Sequence, residues 1–221
     1  MRSTAVTRST LRQQIADALR DEVLAGRLGP GQEFSVKEIA DQYGVSATPV
    51  REALVDLSAQ GLLDSVQHRG FKVHEFTLGD YRGMVEARSI VAEAIFRGMA
   101  ERGTEGIRVD LVSVRRRAEE AQRAATAGDL NVLIGYDLRF WRELGGLFGN
   151  PYLSDFLHRL RVQSWVFAVP LLRRAPDLRG KLWRGHIELV EAVARRDAGA
   201  AYALVAAYNE HSLALVENLA Q

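Results

Sequence analysis

Between Leu11 and Ala25 the apolar residues Leu11, Ile15, Ala18, Leu19 and Val23 recur at helical spacing, which predicts an amphipathic first helix. Gly26 stops it, and Leu28-Gly29-Pro30-Gly31 reads as a rigid turn. Ser35-Val36-Lys37-Glu38 has the spacing of a capping box, so a short second helix is expected through Tyr43, ending at Gly44. Val45 falls in the turn, and Ser46 stands where it can cap a third helix running to about Ala59, with Pro49 tolerated in its first turn. Past Gly61, the extended runs Leu62–Val66 and Gly70–Val73 flank Gln67-His68-Arg69 and predict a hairpin. Three short helices followed by a hairpin is the winged-helix arrangement, and the stretch 35–54 has helix-turn-helix spacing.

After His74 the pattern changes to helix throughout. Helices are expected at about 79–102, 105–127, 130–148, 152–167, 179–195 and 198–218. The breaks between them fall at Gly103-Thr104, Gly128-Asp129, Gly149-Asn150-Pro151, Pro170 to Asp177 and Arg196-Asp197. With strand signals missing, this half reads as an antiparallel all-α bundle. The chain is thus expected to be mainly α in two domains, a winged helix-turn-helix over 8–75 and a helical bundle over 79–218.

Composition narrows the function classes. The 221 residues are 47% apolar and contain no cysteine, so disulfides, thiolate metal sites and a cysteine nucleophile are excluded. Neither a secretory signal nor an apolar run of transmembrane length is seen, so a soluble, cytoplasmic protein without a membrane partner is expected. The net charge is only +1, and acids and bases are about balanced up to Glu75. DNA binding would therefore rest on a few well-placed cations rather than on a basic domain.

Those cations sit in a recognisable frame. Ala25-Gly26-Arg27-Leu28, Pro30-Gly31, Glu38-Ile39-Ala40 and Gly44-Val45-Ser46 lead into Thr48-Pro49-Val50-Arg51-Glu52-Ala53-Leu54, followed by Gln60-Gly61-Leu62 and Arg69-Gly70. In that order they resemble the N-terminal domain of the GntR family of transcription regulators. The resemblance implies that the third helix enters the major groove by its N-terminus, with free backbone N–H groups facing phosphate. Ser46 and Thr48 would supply hydroxyls there, beside Pro49, and Arg51 would fork onto a guanine edge or a phosphate. Lys37 and the wing tip His68-Arg69-Gly70 are the other implied contacts, the glycine letting the wing backbone approach the minor groove. Ala47 departs from the arginine that many members carry, which implies an altered operator preference or weaker binding. For Arg51 the plain alternative is a surface ion pair with Glu52 or Asp56, and for Lys37 and His68 a solvated residue.

The helical half is similar to the FadR-type ligand-binding domain (FCD) of one GntR subgroup, on Ala127-Gly128-Asp129-Leu130, Asp137-Leu138-Arg139-Phe140, Gly149-Asn150-Pro151, His186 and Arg196-Asp197. Six helices place it nearer the shorter, VanR-like branch. Many such domains hold a divalent metal with one aspartate and three histidines. Here Asp137 and His186 stand at two of those positions, while Trp141 and Tyr208 stand at the others. No metal and no other cofactor is therefore expected, with His211 the one group that could compensate. Trp141 and Tyr208 would instead shape a pocket for a carboxylate or aromatic effector together with Arg88, Asp137 and His186. The alternative is that these aromatics simply pack the core. Trp165 and Trp183 read as core or interface residues, and Arg115-Arg116-Arg117 as a solvated helix face.

Together these features imply a repressor that binds a palindromic operator as a homodimer under small-molecule control. Two rivals remain at this point: a degenerate regulator acting through protein contacts, and a metal-dependent enzyme built on the bundle. The chain offers no nucleophile elbow, no phosphate loop and no complete metal site for the second.

Overall fold

A computed structural model describes residues 10–67, 69–102 and 111–221. They divide into two compact units, with the boundary between Glu75 and Phe76. In the first unit, helix α1 (Leu11–Leu24) is capped by Thr10 and buries Ile15, Leu19 and Val23. Helix α3 (Ala47–Ala59) lies against it through Val50, Ala53, Leu54 and Leu57, and Arg12–Asp56 at 2.8 Å closes the edge of the contact. The capping box of α2 (Val36–Tyr43) forms as expected. Glu38 N–H donates to Ser35 Oγ at 3.1 Å, and Ser35 N–H donates to the Glu38 carboxylate at 2.6 Å.

Three strands complete the unit. β2 (Leu63–Val66) and β3 (Gly70–Val73) form the expected hairpin, and β1 (Glu33–Phe34) adds to the free edge of β3, giving the order β1-β3-β2. The sequence pattern did not show β1, because two residues are too few to display alternation.

The second unit is an all-helical bundle, as expected: α4 (Leu78–Arg102), α5 (Val112–Ala127), α6 (Leu130–Gly146), α7 (Pro151–Arg174), α8 (His186–Ala194) and α9 (Ala198–Ala220). The expected break at Gly103-Thr104 and helix start at 105 lie outside the described residues. α4 packs on α9 and α7, α6 on α5 and α7, and α8 on α5 and α9. The core of this unit gathers Phe96, Ala118, Phe140, Leu144, Leu189 and Val205. Among the described residues no helix is long and apolar enough to cross a membrane.

Two helix ends differ from expectation. α7 runs through Pro170 to Arg174 instead of stopping near 167. An interior proline costs a helix about 3 kcal/mol, but Val166, Ala168, Val169 and Leu172 are all buried on this stretch, and that burial outweighs it. Conversely, α8 begins only at His186, not near 179. Gly180 adopts a left-handed φ of 74°, and Asp177 curls back to accept the Arg179 N–H at 2.9 Å. The chain from 175 to 185 is therefore a loop, and it brings Leu178, Leu182 and Trp183 against the bundle.

Candidate functional site

In the first unit, the α2–α3 turn is made by Gly44 in the left-handed region (φ 64°) and by Val45. Ser46 is the N-cap residue of α3, yet its hydroxyl makes no capping hydrogen bond. The first turn of α3 therefore keeps its backbone donors and the Ser46 hydroxyl available for an outside acceptor. Ser46, Ala47, Thr48 and Arg51 are all exposed around it, with Pro49 half-buried. Asp56, one alternative partner for Arg51, is taken by Arg12, and Arg51 has no ion-pair partner among the described residues. Lys37 is exposed on α2, and Arg69 is exposed on the hairpin turn, where its N–H closes on Val66 O at 3.0 Å. His68 lies outside the described residues.

Gly70 has a structural reason of its own. Its φ is +125°, and a Cβ there would stand 2.4 Å from the Phe34 carbonyl oxygen. The glycine is what lets β1 close on β3 directly before the Ser35 cap, whatever else the wing touches.

The second unit brings Arg88, Asp137, Trp141, His186 and Tyr208 together, from α4, α6, α8 and α9. Each occupies the apolar stripe of its helix. Asp137, for example, follows Leu130, Leu133 and Ile134 and precedes Phe140, Trp141 and Leu144. Asp137 is 1% exposed and is the hub. Its Oδ1 accepts from Trp141 Nε1 at 2.9 Å and contacts His186 Nε2 at 3.1 Å. Its Oδ2 accepts from Trp165 Nε1 at 2.9 Å and, at the long distance of 3.5 Å, from the Tyr208 hydroxyl.

Arg161, from α7, joins this group. Its guanidinium carbon lies 3.7 Å from the Trp141 ring centroid and 5.1 Å from that of Tyr208, while that of Arg88 lies 5.7 Å from Tyr208. Both arginines are buried, at 2% and 4% exposure. Arg88 Nε and Nη2, Arg161 Nη1 and His186 Nδ1 make no hydrogen bond to the protein. They stand beside a cavity of about 50 Å³ whose wall includes Tyr81, Trp165, Trp183 and Tyr208.

Electrostatics follow from this burial. Desolvation pushes the Arg161 guanidinium down to about 10, and neighbouring Arg88 adds to the fall against the pull of Tyr208 and Asp137. Burial by itself would raise the Asp137 carboxyl. The hydrogen bond and charge of His186, the charge of Arg161 and the Trp165 N–H outweigh it and hold the carboxyl below its ordinary value. Burial raises the Tyr208 phenol and pushes that of Tyr81 up to about 12.

The donor set does not fit a divalent cation. Both Asp137 oxygens are engaged by neutral donors, and an indole and a phenol stand where further ligands would be needed. His211, the one possible substitute, directs Nε2 to the Lys181 carbonyl at 2.7 Å. Among the described residues no three His, Cys, Asp or Glu side chains are grouped to hold a metal.

Three members of this site were not assigned to it from sequence. Trp165 binds the hub directly. Trp183 sits on the loop before α8, with its ring 5.0 Å from Tyr208 and 4.7 Å from His186. Arg161 left a visible signal: it interrupts the stripe Ser164, Ala168, Leu172 at helical spacing, where a lone charge must face the interior.

A winged helix with an open recognition-helix N-terminus, followed in the chain by a helical unit with a cavity between its helices, is the architecture of a DNA-binding regulator. Residues 6–73 match the bacterial regulatory proteins of the gntR family, and residues 83–211 match the FCD domain. The chain belongs to the gntR family, in the group that carries an FCD domain, and is a transcriptional regulator. The "Probable D-xylose utilization operon transcriptional repressor" of Paenarthrobacter nicotinovorans is 34% identical over 143 residues, 64% of this chain. That match spans 61% of the relative, less than two thirds of its length. The regulator McbR of Escherichia coli K12 is 27% identical over 154 residues, covering 70% of this chain and 68% of McbR. The solved structure of E. coli McbR/YncC superposes with a TM-score of 0.73 at 24% identity over 97% of this chain and 100% of that one, which establishes a shared fold.

Proposed function

We propose that the chain is a cytoplasmic repressor that grips a palindromic operator as a homodimer and releases it when a small-molecule effector occupies the helical cavity. The observation that carries this reading is the pair of buried arginines with unused N–H groups beside that cavity. An uncompensated buried charge costs several kcal/mol, so stability alone does not account for it, whereas a ligand that supplies the missing acceptors does. Arg88, Asp137, Trp141, His186 and Tyr208 form the effector pocket. Lys37, Ser46, Thr48, Pro49 and Arg51, with the wing residues His68, Arg69 and Gly70, face the DNA. The repressor name of the D-xylose relative supports the direction of control. Effector binding favours one arrangement of the helical units and so changes the spacing of the two recognition helices.

The test is fluorescence anisotropy on duplexes enriched by in vitro selection with the full chain. An inverted repeat is expected, with affinity falling steeply as salt rises. Arg51→Ala is expected to weaken binding to it by about 10- to 100-fold, the worth of one bidentate base contact. Binding that is indifferent to both salt and Arg51→Ala would overturn the DNA-reading role.

A further inference from the structure

Two hollows in the helical unit share a wall. Beside the cavity of about 50 Å³ lies a wider basin of about 540 Å³, set among Gln122 and Thr126 of α5, Glu188 of α8, Leu204 of α9 and the loop before α8. Leu182, Trp183 and His211 line both hollows. The Trp183 ring lies against Tyr208 and His186, which belong to the inner wall, and stacks on Trp141. It therefore fills the space between the two.

This indole has the attributes of a movable partition. Trp141 and Trp165 are each pinned by an N–H donated to Asp137, whereas the Trp183 N–H makes no hydrogen bond among the described residues. Its backbone is held: Leu182 is 5% exposed, and His211 Nε2 donates to the Lys181 carbonyl at 2.7 Å. The ring folds back over Gly185, where a Cβ would stand 2.5 Å from its Cζ2. Even a methyl group at 185 would therefore drive the ring from its inner seat. Ring contacts keep it there, and the basin is wide enough to receive an indole turned outward. We infer that cavity and basin are two halves of one binding site divided by Trp183, and that this indole sets the size of what is admitted. Turned inward, it confines the site to small ligands; turned outward, it joins the halves and accepts bulkier ones. This deepens the effector reading proposed above and rests on it.

The chain has no cysteine, so one introduced thiol reports on one place. Ser164 lines the cavity and is 4% exposed. The full chain carrying Ser164→Cys is treated with methyl and with benzyl methanethiosulfonate, and each rate is divided by that of the same reagent with glutathione. Such rates track the population of the state that admits the reagent. In the parent, the benzyl reagent is expected to react about 100-fold more slowly than the methyl one, the worth of two or three ring contacts. Trp183→Ala is expected to remove most of that gap. Gly185→Ala, which moves the ring without deleting it, is expected to narrow the gap by about tenfold, since one or two of those contacts are lost. Ala168→Cys, on the same wall, covers a Ser164 variant that does not fold.

Equal normalised rates in the parent would overturn the partition, because the cavity would then be reached past other residues. So would a gap that survives both Trp183→Ala and Gly185→Ala. Ala118→Cys, in the core and off the cavity wall, separates opening from unfolding. A benzyl rate there that rises in step with the rate at position 164 would show general loosening and overturn the proposal. Should the gap behave as expected while the benzyl adduct leaves operator affinity unchanged, the partition stands and the effector reading fails.

Discussion

Asp137→Ala is expected to lower the melting temperature by about 10 °C, from a loss of about 3–5 kcal/mol. The substitution removes the acceptor for the indole N–H groups of Trp141 and Trp165 and the partner of His186, all in a buried setting. It also takes away a negative charge that acts on the buried Arg161. Asp137→Asn keeps one acceptor oxygen and should fall between the two. The pH dependence has a definite sign. The folded-state pKa of Asp137 lies below its ordinary value, so its stabilisation is complete above about pH 4. That stabilisation is lost as pH falls through the depressed folded value. Thermal melts at pH 7 and down an acid series check both points. A variant melting within about 2 °C of the parent at pH 7 would show that the hub does not hold the site together.

Gly70→Ala is expected to cost about 2–3 kcal/mol in the N-terminal unit and to weaken operator binding in step. A methyl group at φ +125° meets the Phe34 carbonyl oxygen at 2.4 Å and Ser35 Cα at 2.9 Å. Both contacts are backbone, so a rotamer change cannot relieve them. The strand pair β1–β3, which aligns Phe34 with Phe71, must open, and with it the Ser35 cap of α2 is displaced. Urea unfolding of the N-terminal unit, with operator anisotropy alongside, separates this from a simple loss of wing contacts. A variant with wild-type stability but weak binding would mean that Gly70 matters only to the DNA.

The first unit was legible in sequence because its signals are local. The capping box at Ser35 and Glu38, the left-handed Gly44 and the alternation around the wing each need only a few adjacent residues. Ser46 shows the limit of such signals: the residue type and position mark the N-cap, but whether its hydroxyl turns inward is decided by geometry the sequence does not carry. In the second unit, helix ends were the weak point. Pro170 and the residues after it read as a break, yet the buried face of α7 carries the helix on to Arg174. Placing 179–185 on a helix hid Trp183, whose role depends on being in a loop. The convergence of Asp137, His186, Trp141, Tyr208 and Arg88 could be proposed from family positions, because those positions face inward whatever they carry. Arg161 could not, although the interruption of its stripe marks it.

One arrangement has a practical consequence. The chain contains three tryptophans, and all three surround the same few atoms: Trp141 and Trp165 donate to Asp137, and Trp183 stacks on Trp141 at 6.2 Å. The first unit contains none. Intrinsic emission excited at the indole band therefore reports on the cavity alone. A ligand that enters should change its intensity or wavelength without any label, while contacts made only by the winged helix should leave it unchanged. Stopped-flow recording of that signal would time the arrival of the ligand separately from the departure of the DNA, and so show which event leads.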